Sequence, residues 1–306
     1  MDATRERMRV AVVGAGGVGG LLGALLVRQG DEVTFVVTES TASVLNSEGL
    51  RVNSDRYGSF TVPVDAVTLL TSPTDLCVVA VKATQLETAM ERVPKAVLGA
   101  SVVMPFLNGI EHVDLLRRMY GTAVVAGTVR VASTRTAPGV IEHSSPFVRV
   151  EIAVTGGLDD YCKETAVRFG NHLTAAGVDV DVREDEVSML WGKLIFLGPL
   201  ALLTTGYGIS AGDVRTAHRE ELLAVIDEIA HVGEALDASL SAEAALEFFD
   251  SVPATMQSSM QHDAAAGSPI ELDGIGGAIL RAADRTGVPA PTTQRLVREL
   301  RQRSSG

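Results

Sequence analysis

Positive charge is in short supply in this 306-residue chain, where 26 lysines and arginines face 38 aspartates and glutamates for a formal net charge of −12. A nucleic-acid partner needs a basic face. The basic clusters here are short, such as Arg117-Arg118 and the group Arg298, Arg301 and Arg303, and read as solvated helix faces. Cysteine is nearly absent as well. Cys77 lies inside an apolar run and Cys162 near a helix start, with no CxxC and no histidine-rich partner, which excludes a disulfide framework and gives no metal site. With no cleavable signal apparent in residues 1–9, the expectation is a cytoplasmic protein. Long apolar runs are lacking too: the longest, residues 194–203, contains Gly198-Pro199 and falls well short of the ~20 residues a membrane span requires, so no membrane segment is expected. What remains, 46% hydrophobic and 21% charged residues, is the profile of a soluble globular enzyme with length for two domains.

What the chain does have is a concentration of glycine directly behind a β-branched strand. Residues 8–23 read Met-Arg-Val-Ala-Val-Val-Gly14-Ala15-Gly16-Gly17-Val18-Gly19-Gly-Leu-Leu-Gly. Gly14 permits a tight turn, Gly16 lets the backbone approach a pyrophosphate, and Gly19 lets the new helix pack close to the strand, with the helix N–H groups facing the anion. Leu21, Leu22, Leu25 and Leu26 continue at helical spacing until Gly30 stops the helix. The pattern predicts a dinucleotide site; a glycine turn serving only a parallel sheet is the structural alternative.

From residue 8 to about 183, strand and helix signals alternate. Strands are expected at 10–13, 32–37, 76–81, 101–106, 124–131, 140–142, 147–154 and 178–182, with a short β excursion at 50–64 and helices at 21–29, 86–93, 111–119 and 159–176. This is an α/β, Rossmann-type dinucleotide-binding domain with an open sheet and an antiparallel edge. Beyond Glu184 the strand signals stop, and helices are expected at 185–203, 213–236, 242–249, 255–265, 270–286 and 292–303, an all-α domain. The division is therefore 1–183 and 184–306, and the cleft between the two is the expected active site.

Separated pieces then occur in a recognisable order: the glycine turn; Asp75-Leu-Cys-Val-Val-Ala-Val-Lys82-Ala-Thr-Gln85; Asn108-Gly109; Trp191-Gly-Lys193-Leu; Ser258-Ser259-Met260 followed by Asp263; and Glu271-Leu-Asp273-Gly274. With Ser259 twelve residues before Glu271, the chain resembles the ketopantoate reductase (2-dehydropantoate 2-reductase) family over nearly its full length. The resemblance implies reduction of a 2-oxo acid by hydride from NADPH, ketopantoate to pantoate in the family, a step toward pantothenate. Lys193 stands where the family has its general acid. A carbonyl oxygen gaining hydride becomes an alkoxide that needs a proton and a nearby positive charge. Among Trp191, Leu194, Ile195 and Phe196 the ammonium is expected to be partly desolvated, which eases proton release; a snorkelling lysine is the alternative. Glu271 matches the acidic partner that holds the substrate hydroxyl, although an acid at a helix start also fits its position. Ser259 matches the donor to the substrate carboxylate. Lys82 and Asn108 are implied near the nicotinamide end and the reacting carbonyl, with Asn-Gly as a simple turn the alternative for Asn108. The implied cofactor contacts are Gly14, Ala15, Gly16, Gly17, Val18, Gly19, Thr38, Lys82, Asn108 and Glu271.

Two departures bear on substrate and cofactor. Four and eight residues after its lysine, on one helical face, the family has substrate-contacting asparagines, and here those positions hold Leu197 and Ala201, with Gly198-Pro199 placed to kink the helix. Two missing amides leave an apolar wall in the substrate-binding face, which favours a larger or less polar carbonyl substrate of a specialised pathway. After the second strand, where the family has an arginine for the 2′-phosphate of NADP, stand Thr38, Glu39 and Ser40. Pointing inward, Glu39 would grip an unphosphorylated ribose and select NAD; pointing outward, it would leave Thr38 and Ser40, with Arg51 nearby, to bind the phosphate. NADP is expected on family grounds. A nucleotide-binding sensor or scaffold is the reading from another class, and a complete acid and substrate constellation argues against it. The partners expected are a small-molecule 2-oxo acid and, as an open alternative, a second copy in a homodimer, with neither nucleic acid nor membrane.

Overall fold

The computed structural model describes residues 6–304. The described chain forms two compact units, one holding the residues up to Leu107 and then His112–Glu186, the other Asn108–Glu111 and the residues from Val187 on.

The strands of the first unit are β1 (Arg9–Val13), β2 (Glu32–Val36), β3 (Leu50–Ser54), β4 (Phe60–Val62), β5 (Asp65–Val67), β6 (Leu76–Val79), β7 (Val102–Pro105), β8 (Gly127–Arg130), β9 (Ser133–Ala137), β10 (Val140–His143), β11 (Arg149–Ala153) and β12 (Asp179–Arg183). Five of them build a sheet in the order β5, β2, β1, β6, β7, with every pair parallel. All of β6 and β7, and all of β1 after Arg9, is buried, as expected of apolar runs covered on both faces. Val13 pairs with Val36 on one side and Val79 on the other, so the glycine turn leaves β1 where the strand order reverses. That reversal is the place where open α/β sheets bind ligands.

The expected antiparallel edge is absent from this sheet. Its outer strand β5 runs parallel to β2, and the antiparallel pairs belong to two other sheets, β4, β3, β10, β9 and β12, β11, β8. The cause is the excursion after residue 50. β3 and β4 turn away to pair with each other, β3 joins β10, and only the short β5 returns to the main sheet. The fold is α/β with a Rossmann-type sheet, as the glycine turn and buried strands indicate.

The second unit is helical. Its long helix Glu186–Tyr207 passes unbroken through Gly198 and Pro199 and runs four residues beyond the end expected at 203. By length and composition this one helix is apolar enough to cross a membrane, and 67% of its most apolar window is buried inside the protein. A single helix expected at 213–236 is instead two, Ala211–Ala217 and Arg219–Glu234. Ser210 and Asp213 form a reciprocal cap that starts the first early, and His218 ends it with its ring stacked on Tyr207 at 3.7 Å. The expected helix at 255–265 begins only at Ser259, and that at 270–286 opens with a π-helical turn, Asp273–Gly277, before Ala278–Thr286. The helices Ala242–Ser251 and Pro291–Ser304 complete the unit.

Candidate active site

In the first unit each glycine of the turn has a distinct physical reason. Gly14 has φ +96°, and a Cβ there would sit 2.7 Å from Val81 Cγ1. Ala15 is buried and Val18 half-buried. Gly19 lies so close to the turn that a Cβ would be 2.1 Å from the carbonyl oxygen of Gly14, and Gly17 is pressed against Ser133, whose hydroxyl donates to the Gly17 carbonyl at 2.9 Å. Gly16 differs from all of these. It caps the helix Gly17–Arg28 in an extended conformation, and nothing lies within 4 Å of where its Cβ would be. No side chain caps that helix and no acid stands in its first turn, so its backbone donors and positive end face that open space. The residues fit a pyrophosphate: open at the one glycine that an anion must approach, closed at the others.

Thr38 is exposed and precedes the helix Glu39–Glu48, its hydroxyl within 3.0 Å of Thr41 Oγ1 and 3.3 Å of Ser40 Oγ. Glu39, exposed, is the first residue of that helix, where the dipole favours a carboxylate. Lys82 follows β6, half-buried, and opens the short 3-10 turn Ala83–Gln85.

In the second unit Lys193 is buried, 8% exposed, on the long helix. One turn on, Leu197 is half-buried at the edge of the apolar core; a second turn on, Ala201 is fully buried inside it. Because the helix is continuous, positions 193, 197 and 201 keep one face. Ala201 packs inside this core, one turn deeper than Leu197. Gly198 allows this packing, since a Cβ there would come 2.7 Å from Ile229.

Asn108 and Glu271 are brought together from far apart in sequence: the Asn108 amide donates to Glu271 Oε2 at 3.1 Å, and Glu271 is 7% exposed. Ser259 is exposed at the start of the helix Ser259–Ala265. Its neighbour Ser258 is buried, accepts the Gln261 N–H and lies 2.9 Å from Thr204 Oγ1. The two adjacent serines thus divide into a structural cap and an accessible hydroxyl.

Sequence reasoning assigned no role to the charged groups that hold the two segments carrying this pair. Glu111 accepts two hydrogen bonds from Arg281, at 2.9 and 2.6 Å, and Arg281 also donates to Asp273. Hydrogen bonding to Glu111 and Asp273 pushes the Arg281 pKa up, and the hydrogen bond from Arg281 holds the Asp273 carboxyl below its usual range. The only signal is the set of charges at 111, 273 and 281, which no local spacing connects.

Comparison with known proteins gives this arrangement a family. The family model described as ketopantoate reductase PanE/ApbA matches residues 10–155, and that of the PanE/ApbA C-terminal part matches residues 187–304. The chain is 28% identical over 300 residues to the uncharacterized oxidoreductase YkpB of Bacillus subtilis (strain 168), covering 96% of this chain and 98% of that one. Among solved structures, a PanE/ApbA family ketopantoate reductase from Ralstonia eutropha JMP134 is 26% identical with a TM-score of 0.86, over 98% of this chain and 100% of that one. D-mandelate dehydrogenase, solved with NADH and anilino(oxo)acetate, shares the fold at TM-score 0.89 and 20% identity, over 97% and 99% of the two chains. Matched through both of its parts, the chain belongs to the ketopantoate reductase family and is an oxidoreductase that uses a pyridine nucleotide to interconvert a carbonyl and its alcohol.

Proposed function

We propose that this protein reduces a 2-oxo acid to the 2-hydroxy acid, with NADPH as the donor and ketopantoate, giving pantoate, as the first candidate substrate. The observation that carries the reading is the part-buried hydrogen bond from Asn108 to the buried Glu271, in the unit whose long helix carries the buried Lys193. A bound nicotinamide supplies the hydride. The glycine turn would hold the pyrophosphate on the N-terminus of the helix Gly17–Arg28, with Gly16 leaving the space, and Lys82 would serve the nicotinamide end. Lys193 stabilises the charge growing on the carbonyl oxygen and donates the proton that completes the alcohol. Glu271, oriented by Asn108, accepts from the substrate hydroxyl, and the exposed Ser259 hydroxyl donates to the substrate carboxylate. Thr38 and Ser40 offer hydroxyls to a 2′-phosphate, and family membership supports NADP; a Glu39 carboxylate turned to the ribose would make the donor NADH.

A second reading keeps the reaction and changes the substrate to an oxo acid with a larger, less polar arm. Leu197, one turn from Lys193 on the same face, supports it, as does the aromatic pair Phe196 and Phe248, with ring centroids 4.7 Å apart. A sensor or scaffold without catalysis has no need of a buried lysine and an oriented carboxylate together.

The test is kcat/KM for ketopantoate and for bulkier apolar 2-oxo acids, each with NADPH and NADH. Turnover of ketopantoate above all others supports the first reading. Preference for an apolar arm by about tenfold or more, the discrimination one pocket contact supplies, supports the second. No turnover of any 2-oxo acid with either nucleotide refutes both.

A further inference from the structure

The contact between Asn108 and Glu271 depends on two backbone segments being held side by side, and one guanidinium fastens them. Asn108 belongs to the segment Asn108–Glu111; Glu271 lies two residues before the π-helical turn Asp273–Gly277. Gly109, at φ +83°, is so close to Gly274 that a Cβ would sit 2.1 Å from the Gly274 carbonyl oxygen. Beyond it, Arg281 Nε and Nη2 donate to Glu111 Oε1 and Oε2 at 2.9 and 2.6 Å. The same guanidinium donates from Nη1 to Asp273 Oδ1 and from Nη2 to the Asp273 carbonyl, both at 3.0 Å. Gly277 leaves room for this, since a Cβ there would lie 2.5 Å from Asp273 Oδ1 and 3.0 Å from Arg281 Nη1. A planar fork can make all four bonds at once, and an ammonium cannot. Arg285 lies 3.9 Å from Glu111 and Arg301 3.2 Å from Asp273, so each supports one of the two carboxylates that Arg281 joins. A π turn carries one residue more per hydrogen-bonded loop than an α-helix and recurs at functional sites, so its partner here is of mechanistic interest.

We propose that Arg281 is a positioning residue for the reaction: by tying Glu111 to Asp273 it sets the register of Asn108 against Glu271, and so the geometry in which Glu271 holds the substrate hydroxyl. This rests on the reading that Glu271 touches the oxo acid. The experiment compares wild type with Arg281→Ala, Arg281→Lys and Glu271→Gln, and with Arg295→Ala as a control arginine that pairs Glu221 and Glu299 in the same unit. The readouts are KM and kcat for ketopantoate, or for whichever 2-oxo acid turns over best, and NADPH affinity by fluorescence. Arg281→Ala is expected to raise the oxo-acid KM by about tenfold or more, the scale of a site displaced by a fraction of an ångström. NADPH affinity, which in the proposed reading comes chiefly from the glycine turn, is expected to stay within about twofold of wild type. Arg281→Lys is expected to leave the KM raised, and millimolar guanidinium to lower it again in Arg281→Ala but not in Glu271→Gln.

A KM for Arg281→Ala within about twofold of wild type, while Glu271→Gln raises it, overturns the positioning role and leaves the site standing. Unchanged kinetics in Glu271→Gln overturn the site itself. An equal rise in Arg295→Ala shows a general structural effect and overturns the proposal. Should Arg281→Ala fail to fold, Glu111→Gln, which weakens the same bridge with no change of size, must show the KM rise with unchanged NADPH affinity, and its absence refutes the inference.

Discussion

Two glycines three residues apart are expected to separate nucleotide binding from folding. Gly16 has φ −80° and ψ −169°, a conformation alanine adopts freely, and no atom stands within 4 Å of the missing Cβ. In Gly16→Ala the stiffer unfolded chain contributes about 0.4–1 kcal/mol. Loss of a favourable capping residue costs a similar amount, so the stability of the free protein should change by less than ~1 kcal/mol. The methyl group occupies the space in front of the helix N-terminus. Displacing the pyrophosphate from one charge-assisted hydrogen bond forfeits ~1.5–3 kcal/mol, about ten- to a hundredfold in affinity. Gly19→Ala should do the reverse in order of severity. Its Cβ would lie 2.1 Å from the Gly14 carbonyl oxygen, a backbone atom that cannot rotate away, so the overpacking cost of ~1–3 kcal/mol falls on folding itself. Thermal unfolding without nucleotide, and fluorescence titration with NADPH and NADH, measure the two effects. Gly16→Ala binding both nucleotides within about twofold of wild type would refute the assignment of this turn as the pyrophosphate site.

Three other outcomes are expected. Ser258→Ala should lower stability by ~1–2 kcal/mol in chemical unfolding, because it removes a helix cap and a buried partner of Thr204, whereas Ser259→Ala should leave stability within ~0.5 kcal/mol and raise the oxo-acid KM. Leu197→Asn should raise kcat/KM for ketopantoate relative to apolar oxo acids by about tenfold if Leu197 lines the substrate, and should only destabilise the protein if it is purely a packing residue. Burial raises the Glu151 pKa, but Arg130 and Arg183 outweigh it and hold the carboxyl below its ordinary value. A depressed carboxylate stabilises the fold above its unfolded pKa and loses that contribution as pH falls through the folded one. The Tm deficit of Glu151→Gln should therefore be largest near neutrality and shrink below the ordinary glutamate range; a deficit that grows with acidity would contradict the ion pairing.

The parts of the fold legible in the sequence are those with strong local patterns. The runs that form β6, β7 and β1 after Arg9 are buried on both faces and so apolar, and the glycines at 14 and 19 each answer a local steric demand. β9 gives no strand signal, because Ser-Thr-Arg-Thr-Ala at a sheet edge is mostly exposed and carries no alternation. The helix Glu39–Glu48 buries only Thr41, Ala42 and Leu45, too narrow a stripe for periodicity to stand out. The proposed site residues Lys193, Glu271, Ser259 and Asn108 are legible only through family resemblance, since no local chemistry joins them. Asn108 and Glu271 are 163 residues apart, Glu111 and Arg281 170, and such pairs become visible only when the chain is folded. Adjacent serines show the same limit: a Ser-Ser dipeptide does not reveal which hydroxyl turns inward to Thr204 and which stays accessible.

The most direct measurement is the turnover of Lys193→Ala on the best 2-oxo acid, with nucleotide affinity measured on the same preparation. A general acid and charge stabiliser acts in the transition state, so kcat should fall by at least ~10²-fold while NADPH affinity stays near that of wild type. A Lys193→Ala protein that keeps full turnover would contradict the assignment of this buried lysine as the proton donor, and with it the catalytic reading of the site.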